Sequence, residues 1–333
     1  MSDDLPYRAR LESCTLCQLD CRDCYMRLSE NGYCGVGAGY LKFNDFKKFI
    51  EDNPFVEEIE LSNDGEIFLN PDLLKILEYA HAKGVRLTAR AGVNFNLVSE
   101  EVLEALVRCE VLEMTVSIDG SSQKAYSWYR RGGDFEKVIA NVKKLNGYKN
   151  KYGLHHPVLR WKYIILPSTC TVKEIERAKK MAAELGMEMQ FDKDYHSFVP
   201  DNVAEVEKAT GLIYQQSPDA THYDRHYYYP CFALWIEPQI GWDGRFLGCC
   251  NNHGKNFGGN VFEMGLENYL KSDVVTRAKK MLMGGEVAED LPCGNFGDGN
   301  VCWYYKVMAQ ENDFIKQEEI DRVIMYTKGL SRR

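Results

Sequence analysis

No stretch of the 333-residue sequence approaches the roughly 20 consecutive apolar residues of a membrane span. There is no basic run either. Lys and Arg number 41 against 49 Asp and Glu, a formal charge of −8, which argues against nucleic acid or an anionic membrane as partner, since both are met by clustered Lys and Arg. The opening MSDDLPYRARLES lacks the apolar core of a secretion signal, so a cytoplasmic location is expected. Internal repeats and low-complexity segments are absent. What remains, at 45% hydrophobic and 27% charged residues, is an ordinary globular composition, long enough for one large domain or two smaller ones.

Against these absences stand 12 cysteines. Without a secretion signal they do not read as a disulfide framework, and they cluster. Cys14, Cys17, Cys21 and Cys24 lie near the start, and Cys231, Cys249, Cys250, Cys293 and Cys302 near the end. Clustered thiols in a reducing compartment read as metal ligands. The isolated Cys34, Cys109 and Cys170 read as small core residues, as do Met114, Met187 and Met189.

Between the clusters, strand and helix patterns alternate. Strands are expected at 57–63, 85–92, 111–120, 158–167 and 187–193, and helices at 71–84, 99–110, 135–149 and 172–186. Ser99 suits a helix N-cap, and Gly84 and Gly186 suit helix ends. With one weakly marked unit around the first cysteines, residues 12 to 195 hold about six βα units, the pattern of a parallel sheet. The expected fold is therefore α/β, a partial (β/α)6 TIM-like barrel over residues 1–195. Residues 196–230 read as a linker, with His196, His222, Asp224, Arg225, His226 and Tyr227 to Tyr229 able either to line a polar pocket or to form a surface loop. From 231 to 333 short strands and turns suggest a small α+β domain. WIEPQIGWDGRFLG reads as a hairpin turning at Asp243-Gly244. Asp192 and Asp194 end the last barrel strand, the edge where parallel barrels keep active sites, and Glu237 is a candidate proton acceptor.

The first cluster, Cys14-x2-Cys17-x3-Cys21-x2-Cys24, is too tightly spaced for two zinc knuckles, and its spacings differ from a bacterial ferredoxin run. Its inner part, Cys17-x3-Cys21-x2-Cys24, resembles the C-x3-C-x2-C signature of radical S-adenosylmethionine (radical SAM) enzymes. Further motifs follow in the order of that family. Asn63-Asp64-Gly65-Glu66, continuing IFLNPDL, resembles the GGE loop, with Asp64 for the first glycine and Ile67 for a proline. Ser117-Ile118-Asp119-Gly120, followed by YRRGGDFEKVI, resembles the motifs at the fourth strand. The resemblance covers residues 12–195. It implies a [4Fe–4S] cluster on Cys17, Cys21 and Cys24, whose fourth iron chelates S-adenosylmethionine. It also implies that Asp64, Gly65 and Glu66 receive the cofactor's ammonium, and Ser117 with Arg130 or Arg131 its carboxylate. Cys14 is surplus.

The segment CFALWIEPQIGWDGRFLGCC, then Gly259-Asn260, Arg277 and Cys293-x8-Cys302, resembles the SPASM/twitch extension of that family. The resemblance implies a second, auxiliary [4Fe–4S] cluster on Cys231, Cys249, Cys293 and Cys302. Zinc on the same thiolates is the alternative. Neighbours on a strand face opposite ways, so Cys250 is the unresolved neighbour of Cys249. The function implied is reductive cleavage of S-adenosylmethionine to a 5′-deoxyadenosyl radical that takes hydrogen from a polar small molecule, sugar- or aminocyclitol-like, with an external flavodoxin- or ferredoxin-type electron donor as partner. The alternative substrate is a ribosomally made peptide. The alternative of another class is a non-catalytic iron–sulfur or zinc module, in which Glu66 and Ser117 would have no role.

Overall fold

The computed structural model describes residues 5–28, 35–194, 198–214, 229–249, 257–294 and 302–330. Six strands, β1 (Arg8–Leu11), β2 (Glu58–Glu60), β3 (Arg86–Val93), β4 (Glu113–Ser117), β5 (Val158–Ile165) and β6 (Glu188–Lys193), lie in chain order across one sheet. All five pairings among them are parallel. The helices between them are α1 (Tyr25–Leu28), α2 (Phe43–Asp52), α3 (Leu73–Ala82), α4 (Glu100–Arg108), α5 (Gln123–Tyr129), α6 (Phe135–Tyr152) and α7 (Val172–Glu184). Local chemistry sets their ends. The Ser99 hydroxyl accepts from the Val102 N–H at 3.2 Å and caps α4, while Gly84 and Gly186 turn the chain with φ of 72° and 63°.

Strand alternation gives the sheet two unlike faces. Ala9, Leu11, Ile59, Leu87, Ala89, Met114, Val116, Leu159 and Trp161 join one core with Phe46, Leu77, Leu106, Val138 and Ile175 of the helices. Each buried aliphatic side chain there contributes about 1.5–3 kcal/mol. The intervening residues, among them Arg10, Glu60, Arg90, Glu113, Arg160, Lys162 and Asp192, project from the opposite, inner face.

Beyond β6 the chain forms α8 (Val203–Thr210), α9 (Tyr229–Ile236), β7 (Gln239–Ile240), β8 (Phe246–Gly248), α10 (Val261–Met264), α11 (Leu266–Leu270), α12 (Asp273–Leu282), α13 (Trp303–Glu311) and α14 (Gln317–Leu330). Three features differ from expectation. The stretch read as linker contains α8, whose buried Val206 packs in the main core. The WI of WIEP closes α9 instead of opening a strand, because Phe232, Leu234, Trp235 and Ile236 are all buried, more than one strand face would allow. The hairpin does turn at Asp243-Gly244, with Gly244 N–H on the Gly241 carbonyl at 3.0 Å. It is not set apart, however: β7 pairs parallel with β1, Arg10 beside Gln239, and β8 lies antiparallel on β7, making an eight-stranded sheet. Cys34, Cys250, His196, His222, Asp224, Arg225, His226, Tyr227 and Tyr228 lie outside the described residues. Among the described residues no helix is long and apolar enough to cross a membrane.

Candidate active site at the carboxyl ends of the strands

At the end of β1 the chain enters the cysteine loop, which neighbouring segments fix by backbone hydrogen bonds. Thr15 N–H donates to the Gly39 carbonyl at 3.0 Å, Glu66 N–H to Leu16 at 2.8 Å, Asp20 N–H to Arg131 at 2.9 Å and Arg22 N–H to Tyr129 at 3.0 Å. Cys17, Cys21 and Cys24 share one small apolar cluster with Leu19, Trp128, Tyr129, Ile164 and Leu166. Burial, reinforced by Glu66, Cys21 and Cys24, pushes the Cys17 thiol up to about 12. Among the described residues no three His, Cys, Asp or Glu side chains are gathered closely enough to hold a metal. The donor set nevertheless fits a cluster: three thiols within eight residues of sequence, walled by apolar side chains, with an amide and a guanidinium aimed at the sulfurs. Asn94 Nδ2 lies 3.8 Å from Cys17 Sγ, and Arg130 Nη1 lies 3.6 Å from Cys21 Sγ.

The Asn63–Glu66 loop follows β2 and leans on the cysteine loop. A Cβ on Gly65 would lie inside the Cys14 carbonyl oxygen and 2.5 Å from the Thr15 carbonyl carbon, so only glycine allows this approach. Asp64 accepts from the Tyr25 hydroxyl, and its N–H donates to Glu12 Oε2 at 3.1 Å. Glu66, 1% exposed, accepts from Phe68 N–H at 3.2 Å and from Asn94 N–H at 2.6 Å. Its carboxylate thus ties the loop after β2 to the loop after β3. Burial raises it to about 7 against the pull of those two N–H groups and of Arg130.

A carboxyl raised in the folded chain favours folding while it is neutral, and that contribution is lost as pH rises from about 4.5 through about 7. Glu66→Gln is therefore expected to gain stability relative to the parent across that interval, by about 3 kcal/mol at most. Calorimetric melts at both ends would measure it; a difference that does not change with pH would show Glu66 ionised throughout.

Ser117 closes β4, 6% exposed, with Gly92 so near that a Cβ there would fall 2.7 Å from its hydroxyl. Asp119, fully buried with φ of 43°, accepts from Ile164 N–H at 2.8 Å and from Arg130 Nε at 2.6 Å. Arg130 points to Cys21, whereas the Arg131 side chain is exposed and only its carbonyl meets the loop.

Below these loops the inner wall is charged. Arg90 stands 3.1 Å from Glu58, 3.2 Å from Glu60, 3.3 Å from Glu237 and 3.6 Å from Glu113. Arg10 donates to Asn63 Oδ1 at 3.0 Å and to Glu237 at 3.3 Å, so Glu237 sits between two arginines. Lys162 is 3.6 Å from Asp192, whose carboxyl burial pushes up. Glu12 Oε1, Asn63 Nδ2 and Gln239 Oε1 are buried with no hydrogen-bond partner among the described residues. Sequence reasoning missed Glu12, Arg10, Asn94 and Arg90 in this site. It quoted Asp119 within a motif but gave it no role.

No protein-family model matches the chain. A segment of 172 residues, 51% of the chain, is 26% identical to an AdoMet-dependent heme synthase of Methanosarcina barkeri (strain Fusaro / DSM 804), spanning only 45% of that protein's length. Among solved structures, Streptococcus suis SuiB bound to S-adenosylmethionine aligns at TM-score 0.61 and 14% identity over 82% of this chain and 68% of its own. BtrN in complex with AdoMet and 2-DOIA aligns at 0.50 and 14% identity over 87% of this chain and 92% of its own. The chain has the fold of the radical SAM superfamily. Both alignments cover more of the chain than residues 1–195 and so extend past β6 into the C-terminal part.

Within that radical SAM fold the C-terminal cysteines lie on separate elements. Cys231 is buried on α9 and Cys249 follows β8. Cys302 N–H donates to the Cys293 carbonyl at 3.1 Å, and burial, then Cys302, pushes the Cys293 thiol up to about 12. The structure brings these last two together; among the described residues no three of the four sulfurs form a group. The hairpin between them is held firmly. Trp242 Nε1 donates to the Val36 carbonyl at 3.2 Å, Asn260 Nδ2 donates to the Asp243 carbonyl at 2.8 Å, and Leu247 packs with Met26, Val36 and Cys24.

Proposed function

We propose that this protein is a radical SAM enzyme with its active site at the carboxyl ends of β1 to β6, the face where parallel barrels place their chemistry. The observation that carries the reading is that the loop bearing Cys17, Cys21 and Cys24 lies at that edge beside Glu66, Asp119 and Arg130, with Asn94 Nδ2 3.8 Å from Cys17 Sγ and Arg130 Nη1 3.6 Å from Cys21 Sγ. Cys17, Cys21 and Cys24 would hold three irons, as thiolates that release their protons on binding. Bound there, a [4Fe–4S] cluster with S-adenosylmethionine supplies one-electron cleavage of the sulfonium and a 5′-deoxyadenosyl radical. The chain's own residues do the rest. Glu66 and Gly65 lock the loops after β1, β2 and β3 against one another. Asp64 and Glu12 offer carboxyl oxygens suited to an ammonium, and Ser117 with Arg130 offers donors suited to a carboxylate. Leu19, Trp128, Ile164 and Leu166 wall one side of the sulfurs with apolar surface.

For the substrate, the similarity to SuiB supports a peptide. SuiB bound to its precursor peptide SuiA aligns at TM-score 0.59, above the 0.50 of BtrN, which favours the peptide over the sugar- or aminocyclitol-like molecule expected from sequence. One observation favours the small polar substrate as second reading: the inner wall is lined by Arg10, Arg90, Lys162, Asp192 and Gln239, with buried polar atoms awaiting partners. Domain limits at 1–195 and 231–333, an auxiliary cluster on Cys231, Cys249, Cys293 and Cys302, an external flavodoxin- or ferredoxin-type donor and a cytoplasmic setting belong to the same proposal. Anaerobic incubation with S-adenosylmethionine, reductant and either short peptides or polyol amines tests it by mass spectrometry. Formation of 5′-deoxyadenosine is required, and the class that gains or loses mass identifies the substrate. Protein that binds stoichiometric zinc and little iron under strict anaerobic purification would end the reading. Cys249→Ala is expected to lose about four irons yet still form 5′-deoxyadenosine, with Cys250→Ala unchanged. The opposite pattern would move the ligand by one residue.

A further inference from the structure

One largely buried charge, offered above to the cofactor's carboxylate, also faces a cysteine sulfur. The Arg130 guanidinium is held on three sides. Asp119 Oδ2 takes its Nε at 2.6 Å and its Nη2 at 2.5 Å, the Tyr129 ring lies under it at 5.0 Å, and its remaining Nη1 reaches Cys21 Sγ at 3.6 Å. Asp119 is itself immobile: it is fully buried, its other oxygen accepts from Ile164 N–H at 2.8 Å, and its own N–H donates to the Lys162 carbonyl at 3.1 Å. From the other side, Asp20 N–H on Arg131 and Arg22 N–H on Tyr129 bracket Cys21 between two backbone bonds to the segment that carries Arg130. A rigid line therefore runs from β5 through Asp119 and Arg130 to one sulfur of the cysteine loop.

We infer that Arg130 is a positioning residue for the iron–sulfur cluster, its fixed positive charge against Cys21 raising the cluster's reduction potential. This rests on the reading under Proposed function. Adding an electron to a cluster makes it one unit more negative, and a cation fixed beside a ligand sulfur in dry surroundings favours that state. Asp119 keeps the cation in place and cancels part of its charge. Because Cys21 is 9% and the Arg130 side chain 14% exposed, water screens the contact only weakly.

The test is an EPR-monitored potentiometric titration of the full chain, reconstituted anaerobically and titrated with dithionite in the absence of S-adenosylmethionine, with iron content measured in parallel. Arg130→Gln is expected to lower the reduction equilibrium constant at least tenfold, a midpoint about 59 mV more negative for one electron. Arg130→Lys should stay near the parent, and Asp119→Asn, which removes the neighbouring negative charge, should not fall below it. A normal iron content in Arg130→Gln with an unmoved midpoint overturns the inference. If Arg130→Gln holds no iron, Arg130→Lys decides: iron retained at the parent's midpoint supports a requirement for charge, whereas loss of iron or a tenfold shift there shows that shape and not charge matters. Parent protein that assembles no cluster would instead defeat the reading of the site as a whole.

Discussion

Reconstituted protein carrying Cys17→Ala, Cys21→Ala and Cys24→Ala together is expected to hold about four fewer irons per chain than the parent and to form no 5′-deoxyadenosine above background. Each single change should come close to the same result, because two thiolates leave one corner of the cluster to water. Folding should be little affected. The loop is fixed by the bonds from Thr15, Asp20, Arg22 and Glu66, none of which uses a sulfur. Cys14→Ala serves as the contrast. Cys14 is fully buried, and its thiol, pushed up to about 12 chiefly by burial, lies 3.9 Å from the Leu16 carbonyl. It should keep its irons and lose stability, about 1 kcal/mol for one small side chain. An iron content and 5′-deoxyadenosine yield unchanged by the triple substitution would place the radical chemistry elsewhere or nowhere in this chain.

The second large effect is expected from Arg90→Ala. Removing this one cation leaves Glu58, Glu60 and Glu237, at 2%, 1% and 6% exposure, with Arg8, Arg10 and Arg86 as the neighbouring cations. Breaking a buried ionic group from one side costs about 3–5 kcal/mol; Arg90 is partly exposed, at 24%, which favours the lower end. The dependence on pH gives the mechanism. Burial pushes the Glu60 carboxyl up, but Arg10 and Arg90, with Ser62, outweigh it and hold the group below the ordinary carboxylate range. A carboxyl lowered in the folded chain contributes its stability above the unfolded value and loses it as pH falls through the folded one. Without Arg90 the Glu60 carboxyl rises and takes up its proton sooner. Urea melts should thus show a deficit of about 3 kcal/mol near pH ~8 that narrows toward pH ~5. A deficit equal at both would point to lost packing of the arginine stem alone.

The cysteines and Arg90 differ in how openly the sequence displayed them. Cys17, Cys21 and Cys24 announce themselves by spacing, and the helices from Leu73, Glu100, Phe135 and Val172 by apolar periodicity, because each buries one stripe against the sheet. The inner wall could not be read in that way. Arg86, Thr88 and Arg90 alternate with Leu87, Ala89 and Ala91, the pattern of a strand with one face in water, and only closure of the sheet makes that face an interior. The same limit hid β1, where Arg8 and Arg10 flank Ala9 in four residues, and α8, whose single buried Val206 gives little periodicity to see. Glu66 was legible as a motif residue but not as a carboxylate bound by two N–H groups from separate loops, since Asn94 lies 28 residues away. The hairpin turn was plain from Asp243-Gly244. Its pairing with β1 left no local trace, because β7 contributes only Gln239 and Ile240 to the sheet.

That pairing also bears on how the molecule is made. Arg10 and Gln239 sit side by side although far apart in sequence, so during synthesis the strand that launches the cysteine loop emerges first and waits with one edge bare until β7 has been made. An unpaired edge is a template for the wrong neighbour, and a contact of such long sequence separation closes late. Iron delivered to Cys17, Cys21 and Cys24 before Gln239 has been translated would meet a loop whose supporting strand still lacks a partner on that side. On the proposed reading, assembly of a cluster on the N-terminal thiols would then follow synthesis of Gln239 and Ile240.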